Sequence, residues 1–136
     1  MKKIDSLKWL YYTVRLLDKK PIIICGDFNV GTYYKEEVKK NANNYRAGFT
    51  SEEKYMFKCF LSLDLINVLN YKYPSEKDLV DFLTERAKKP DIANGYTLDY
   101  IFVSNLLKDK IEKVNILTEK ERYDTKHLPI ELIINI

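Results

Sequence analysis

A carboxylate and a carboxamide stand two residues apart at the end of an apolar run: Asp27 and Asn29, in PIIICGDFNV over residues 21–30. If the backbone stays extended through Phe28, both side chains project to the same side. They can then hold a water or an oxyanion between them. The same G-D-x-N spacing equally suits an Asx-stabilised turn following a strand. The delivering element lies just upstream. Ile22, Ile23, Ile24 and Cys25 are apolar without alternation, the pattern of a strand covered on both faces, and Gly26 permits a turn or a close approach.

The surrounding chain reads as helices and strands that would position this stretch. Apolar residues at Ile4, Leu7, Trp9, Leu10, Tyr11, Val14, Leu16 and Leu17 predict an amphipathic helix over 4–19 lying on a sheet, with lysines at its C-terminal end and Pro21 stopping it. Residues 31–47 are polar and rich in Asn and Lys, so they read as a long loop with a short helix over 36–39. Thr50-Ser51-Glu52-Glu53 is a capping box, Thr50 capping and Glu53 reaching back. Behind it Tyr55, Met56, Cys59, Phe60 and Leu63 form one apolar face. A short apolar piece over 65–69 leads into a connection at 71–77. Strands are predicted over 79–84, 96–104, 111–117 and 128–136, with a turn-rich connection over 88–95.

Composition bounds the rest. A chain of 136 residues is of single-domain length, and 23 basic against 20 acidic side chains leave a net charge of +3. That balance permits a polyanionic partner without arguing for one, because nucleic-acid footprints are recognised by clustering. Cys25 and Cys59 have no CxxC or CxxH spacing and read as reduced, buried thiols of a cytoplasmic protein. No apolar run approaches the ~20 residues of a membrane span, and the lysine-bearing N-terminus lacks the apolar segment of a signal peptide.

Four motifs in order resemble the C-terminal half of the exonuclease III and AP endonuclease family, within the endonuclease/exonuclease/phosphatase superfamily. They are the GDFN strand, AGFTSEE at 47–53, LDYIFVS at 98–104 and KHLPIEL at 126–132. The resemblance implies an α/β (α+β) fold, half of a four-layer α/β/β/α sandwich, with one mixed, mostly antiparallel sheet backed by helices. It implies a phosphodiesterase of DNA repair, cutting double-stranded or abasic DNA with Mg²⁺ or Mn²⁺. Carried over residue by residue, Asp27 activates the attacking water and Asn29 orients that water or the scissile phosphate. Asp99 holds His127, and His127 donates a hydrogen bond to the developing phosphorane. Tyr96 and Leu98 match the walls of a pocket for an extrahelical abasic sugar.

Each residue also has a plainer reading. Asp99 suits a buried hydrogen-bonded strand position, His127 an ordinary loop and Tyr96 a core. The chain carries no W-N-x-N-G or Q-E-T-K motif of the family's N-terminal half, so it is expected to be a single partial domain with no metal ligands of its own. Thr125-Lys126-His127-Leu128-Pro129 stands where the family has S-D-H-x-P, which places Lys126 at an aspartate position, with Asp124 two residues earlier as a poor substitute. Lys126 is expected to contact phosphate instead. Leu83 falls where the family has a tryptophan-bearing segment. The expectation is therefore a nuclease half with weak or no activity alone, completed by a separate N-terminal half or by a second copy of this chain across an otherwise exposed sheet face. The alternative is an inactive remnant that binds or assembles, or a truncated fragment.

Overall fold

A computed structural model describes residues 3–17, 19–33, 48, 50–75, 77–79, 96–117, 127 and 129–136, with backbone alone at 32, 33 and 96. Lys126, Asp124, Leu83, the helix expected over 36–39, the turn over 88–95 and all of the strand expected over 79–84 except Leu79 lie outside these residues. Leu79 is buried in helical backbone.

The first helix, α1, runs Lys3–Leu16, and α1 is followed by β1, Ile23–Tyr33. The helix is shorter than its apolar pattern because Pro21 disfavours helical backbone at Lys20. The chain instead unwinds through Lys19 at φ 62°. Leu7 and Val14 are buried, whereas Trp9 and Leu16 are 64% and 87% exposed and face away from the sheet. The apolar pattern of α1 thus overstates its buried face.

Next come α2 (Ser51–Leu61), β2 (Leu65–Asn67), α3 (Val68–Lys72) and β3 (Tyr96–Ser104), then a 3-10 turn (Asn105–Lys110), β4 (Ile111–Ile116) and β5 (Ile130–Ile134). Both halves of the capping box are present at Thr50 and Glu53. On α2 the buried residues are Phe57 and Phe60, and Tyr55, expected on the apolar face, is exposed. The piece over 65–69 is not a mere connection. Its first three residues pair with the end of β3, and the Asn67 side chain accepts from Leu69 N at 3.0 Å to cap α3. Three residues are too few to display a period, which is why this strand is hidden in the sequence.

Among the described residues all pairings are antiparallel. They form a three-stranded sheet in the order β1-β3-β2 and a two-stranded sheet of β4 and β5. The strands expected as neighbours in one sheet therefore divide into two, joined by β3, whose alternation feeds two cores. Tyr100 and Phe102 point to the helices and pack with Leu7, Val14, Phe57 and Phe60. Val103 points the other way and packs with Val68, Leu107, Val114 and Ile116, with Leu132 and Ile130 of β5 against them. The face of β1 on that second side is left uncovered: Ile23 and Cys25 are exposed. This corrects the expectation that the strand is covered on both faces and that both thiols are buried. Cys25 is exposed and Cys59 only half-buried, and both are free. No described helix is long and apolar enough to cross a membrane.

Candidate functional site

The GDFN stretch reaches the sheet edge through a break in pairing. Ile23 to Asp27 pair with Val103 to Asp99, and pairing resumes only at Thr32 opposite Thr97, so the intervening residues of β1 bulge out. Phe28 anchors the bulge. Its ring centroid lies 5.4 to 5.7 Å from those of Phe57, Phe60, Tyr100 and Phe102, at the edge-to-face and tilted angles aromatic rings favour. The buried Tyr100 hydroxyl reaches the Val30 carbonyl at 2.9 Å and the Thr97 carbonyl at 3.0 Å, tying the far side of the bulge back to β3.

The backbone does not stay extended between the two polar side chains. Asn29 has φ 52°, and its N–H donates to Asp27 Oδ1 at 2.8 Å. This is the Asx turn that the spacing also allowed. It presents Asp27 and Asn29 at one end of the sheet, in a turn rather than by strand alternation.

Asp27 is the direct cross-strand partner of Asp99. Two like charges opposite each other destabilise a sheet unless something intervenes. His127 does: its Nδ1 lies 2.6 Å from Asp99 Oδ2. The imidazole reaches the strand because β5, which His127 precedes, packs on the Val103 side of β3, the side that also carries Asp99. Asp27, Asp99 and His127 each place a ligand atom within 4.8 Å of the others. They line a cleft of about 260 Å³ together with Cys25, Gly26, Tyr100, Ile101, Pro129 and Ile130. A larger hollow of about 450 Å³ lies at the opposite end of β1, around Arg15, Lys20, Ile22 and Ser104. Among the described residues its lining brings together no carboxylate–histidine group like that of the smaller cleft.

Asn29 is exposed on the turn beside the cleft rather than in its lining. Leu98 is half-buried and also outside the lining, and at Tyr96 only the backbone, paired with Tyr33, is described. Lys126 is not among the described residues.

Asp27, Asp99 and His127 form a small mixed donor set that a divalent ion could use. Mg²⁺ takes oxygen donors in near-octahedral geometry. Here one oxygen of Asp27 accepts from Asn29, and one oxygen of Asp99 is committed to His127. The two aspartates match the one or two carboxylates through which Mg²⁺ is usually held, waters completing its shell.

Behind the turn, Glu53 Oε2 accepts from Gly48 N at 2.8 Å, Thr50 N at 3.2 Å and Thr50 Oγ1 at 2.8 Å, while Oε1 meets Lys3 Nζ at 2.8 Å. Burial works against ionisation of this carboxyl. The hydrogen bonds from Lys3 and Thr50 outweigh burial, so its pKa is lowered from the ordinary value. Lys3 also donates to Asn29 O at 3.0 Å. Sequence reasoning missed Lys3 altogether, since nothing local marks a lysine that acts 26 residues away.

A helix-backed antiparallel sheet presents an Asx turn and an aspartate–histidine pair at one edge, an arrangement of the α/β-sandwich class. No protein-family model matches the chain. It is 34% identical over 141 residues to an exodeoxyribonuclease of Bacillus subtilis, a match covering 100% of this chain and 55% of the relative. It is 31% identical over 125 residues to Recombination repair protein 1 of Drosophila melanogaster, covering 92% of this chain and 18% of the relative. An AP endonuclease structure from Archaeoglobus fulgidus shares the fold, with a TM-score of 0.65 and 18% identity, over 98% of this chain and 53% of that one. The chain belongs to the exonuclease III / AP endonuclease family and corresponds to its C-terminal half. It spans about half the length of the Bacillus subtilis relative.

Proposed function

We propose that this chain is the C-terminal half of a phosphodiester hydrolase of DNA repair, an exodeoxyribonuclease or abasic-site endonuclease, and that it works when joined to the family's other half in cis or in trans. One observation carries the reading: the 2.6 Å contact of His127 with Asp99, with Asp27 beside it at the end of the GDFN strand. In-line attack at phosphorus needs a base near the nucleophile and donors around the nonbridging oxygens. Asp27 takes the proton of the attacking water, and Asn29 orients the water or the phosphate. His127 donates from Nε2 to the oxygens that gain charge. To do so while Nδ1–H faces Asp99, the ring must carry both protons, and the Asp99 carboxylate is the counter-ion of that form. Tyr96 and Leu98 belong to the sugar pocket in this reading. The divalent ion, Mg²⁺ or Mn²⁺, takes further ligands from the complementing half.

Lys126 at a family aspartate position favours a second reading, in which the chain binds DNA phosphate through that ammonium without turnover. The test is to incubate the purified chain with an abasic duplex and Mg²⁺, alone, with a family N-terminal half in trans, and with Lys126→Asp. The expected result is little cleavage alone and cleavage with the complement, abolished by Asp27→Asn. DNA binding that Lys126→Asp weakens, with no cleavage under any complementation, would overturn the hydrolase in favour of the binding module.

A further inference from the structure

The turn carrying Asn29 is held from outside by groups that none of the steps above uses. A capping box needs only Thr50 and one carboxylate oxygen of Glu53. Here the second oxygen is taken by Lys3 Nζ at 2.8 Å, and the same ammonium donates to the Asn29 carbonyl at 3.0 Å. Gly48 closes the arrangement. Its N–H donates to Glu53 Oε2 at 2.8 Å and its carbonyl accepts from Gly31 N at 2.9 Å, so it bridges the α2 cap to the end of the Asn29 turn. A Cβ on Gly48 would sit 2.5 Å from Asn29 O, so no other residue fits between them.

Asparagine enters left-handed backbone more readily than other non-glycine residues, so what holds Asn29 there is its surroundings rather than strain. At Asn29 the surroundings are the Asp27 carboxylate on one side and Lys3, braced by Glu53, on the other. The carbonyl that Lys3 holds belongs to Asn29 itself, so a slack Lys3 lets the whole residue rotate, carboxamide included.

We propose that Lys3 and Glu53 are positioning residues for Asn29: the ion pair between the first turns of α1 and α2 clamps the Asn29 carbonyl and so sets where its carboxamide stands beside Asp27. Its catalytic consequence rests on the hydrolase reading above; the clamp itself does not. Both helix starts thus serve one turn at the sheet edge.

The test uses the full chain with Lys3→Met, Lys3→Arg and Glu53→Gln, followed first by ¹H–¹⁵N backbone spectra. In Lys3→Met the amides of Asn29, Gly31 and Gly48 should shift and broaden while those of Val114 and Leu132 in the other sheet stay fixed, and Lys3→Arg should restore them. The Gly48 amide should also report Glu53 titrating, with a midpoint that moves upward in Lys3→Met. In the complemented enzyme Lys3→Met should lower kcat about tenfold with KM within about twofold, because misplacing a group near the reacting atoms acts on the chemical step. Asn29 and Gly31 amides unmoved in Lys3→Met would overturn the clamp, and moved amides with kcat unchanged would overturn its positioning role in catalysis. A complemented enzyme that cleaves nothing would overturn the hydrolase reading instead, and the spectra would then decide the clamp by themselves.

Discussion

His127 and Asp99 join the two described sheets: the histidine precedes β5, the aspartate sits on the central strand β3, and Nδ1 and Oδ2 are 2.6 Å apart. The pair is partly open to solvent, with side chains 41% and 31% exposed. Ion pairs so exposed contribute little to stability, a median of about 0–1 kcal/mol. Asp99→Asn should therefore cost under about 1 kcal/mol in urea denaturation while lowering kcat of the complemented enzyme by about 10²-fold or more, in the range of a lost acid–base or donor function. A loss above ~3 kcal/mol with kcat unaltered would make the pair a structural staple.

Gly48 offers a sharper steric test. Its φ of 89° already strains any side chain, and the added Cβ would meet Asn29 O at 2.5 Å. The opposing atom is backbone and cannot swing aside. Gly48→Ala should destabilise by about 1–3 kcal/mol and lower Tm by roughly 5–10 °C in thermal circular dichroism. A Tm within 2 °C of the parent protein, by roughly the shift expected for under 1 kcal/mol, would mean that the turn has room to move.

How much of this was legible in the sequence depended on how local each signal was. The capping box at Thr50 and Glu53, the strand over 96–104 and the end of α1 before Pro21 are written in consecutive residues, and each forms close to where it was expected. The Asp99–His127 pairing came from motif order alone, because no periodicity links residues 28 apart. β2 was too short to show, and Tyr55 was put on the buried face where Phe57 belongs, since neighbouring aromatics blur a 3.6-residue period. The exposure of Cys25 was out of reach for a different reason. An unalternating apolar run asks for cover on both faces, and cover on one of them does not lie among the described residues.

The two apolar sides of α1 and α2 should respond differently to truncation. Phe60 is fully buried in the aromatic cluster around Phe28, whereas Trp9 is 64% exposed. Phe60→Ala should cost about 3–5 kcal/mol, a large part of the 5–15 kcal/mol typical of a domain, and Trp9→Ala about 0.5 kcal/mol or less. Urea unfolding followed by far-ultraviolet circular dichroism measures both, independently of the one tryptophan. Equal losses would show that the outer face of α1 is covered in solution by another copy or another half.

Glu53 makes the hold on the Asn29 turn dependent on pH. Its carboxyl is held below the ordinary value of 4.5 by Lys3 and Thr50 despite burial. A carboxylate with a depressed folded-state pKa binds fewer protons folded than unfolded, so stability rises with pH across that interval. Its contribution is complete above about 4.5 and falls away as the pH drops through the lower folded value. Protonation there would also release Lys3 from Glu53 and slacken the hold on the Asn29 carbonyl. Urea midpoints measured from pH 7 down to pH 3 should therefore fall more steeply below pH 4.5 in the parent protein than in Glu53→Gln, which is weaker at neutral pH and lacks this proton. Lys3→Met should flatten the same limb, because the lowering due to Lys3 is then gone. Parallel curves for all three proteins would show that the Glu53 carboxylate exchanges its proton alike in the folded and unfolded chain, and that Lys3 does not hold it.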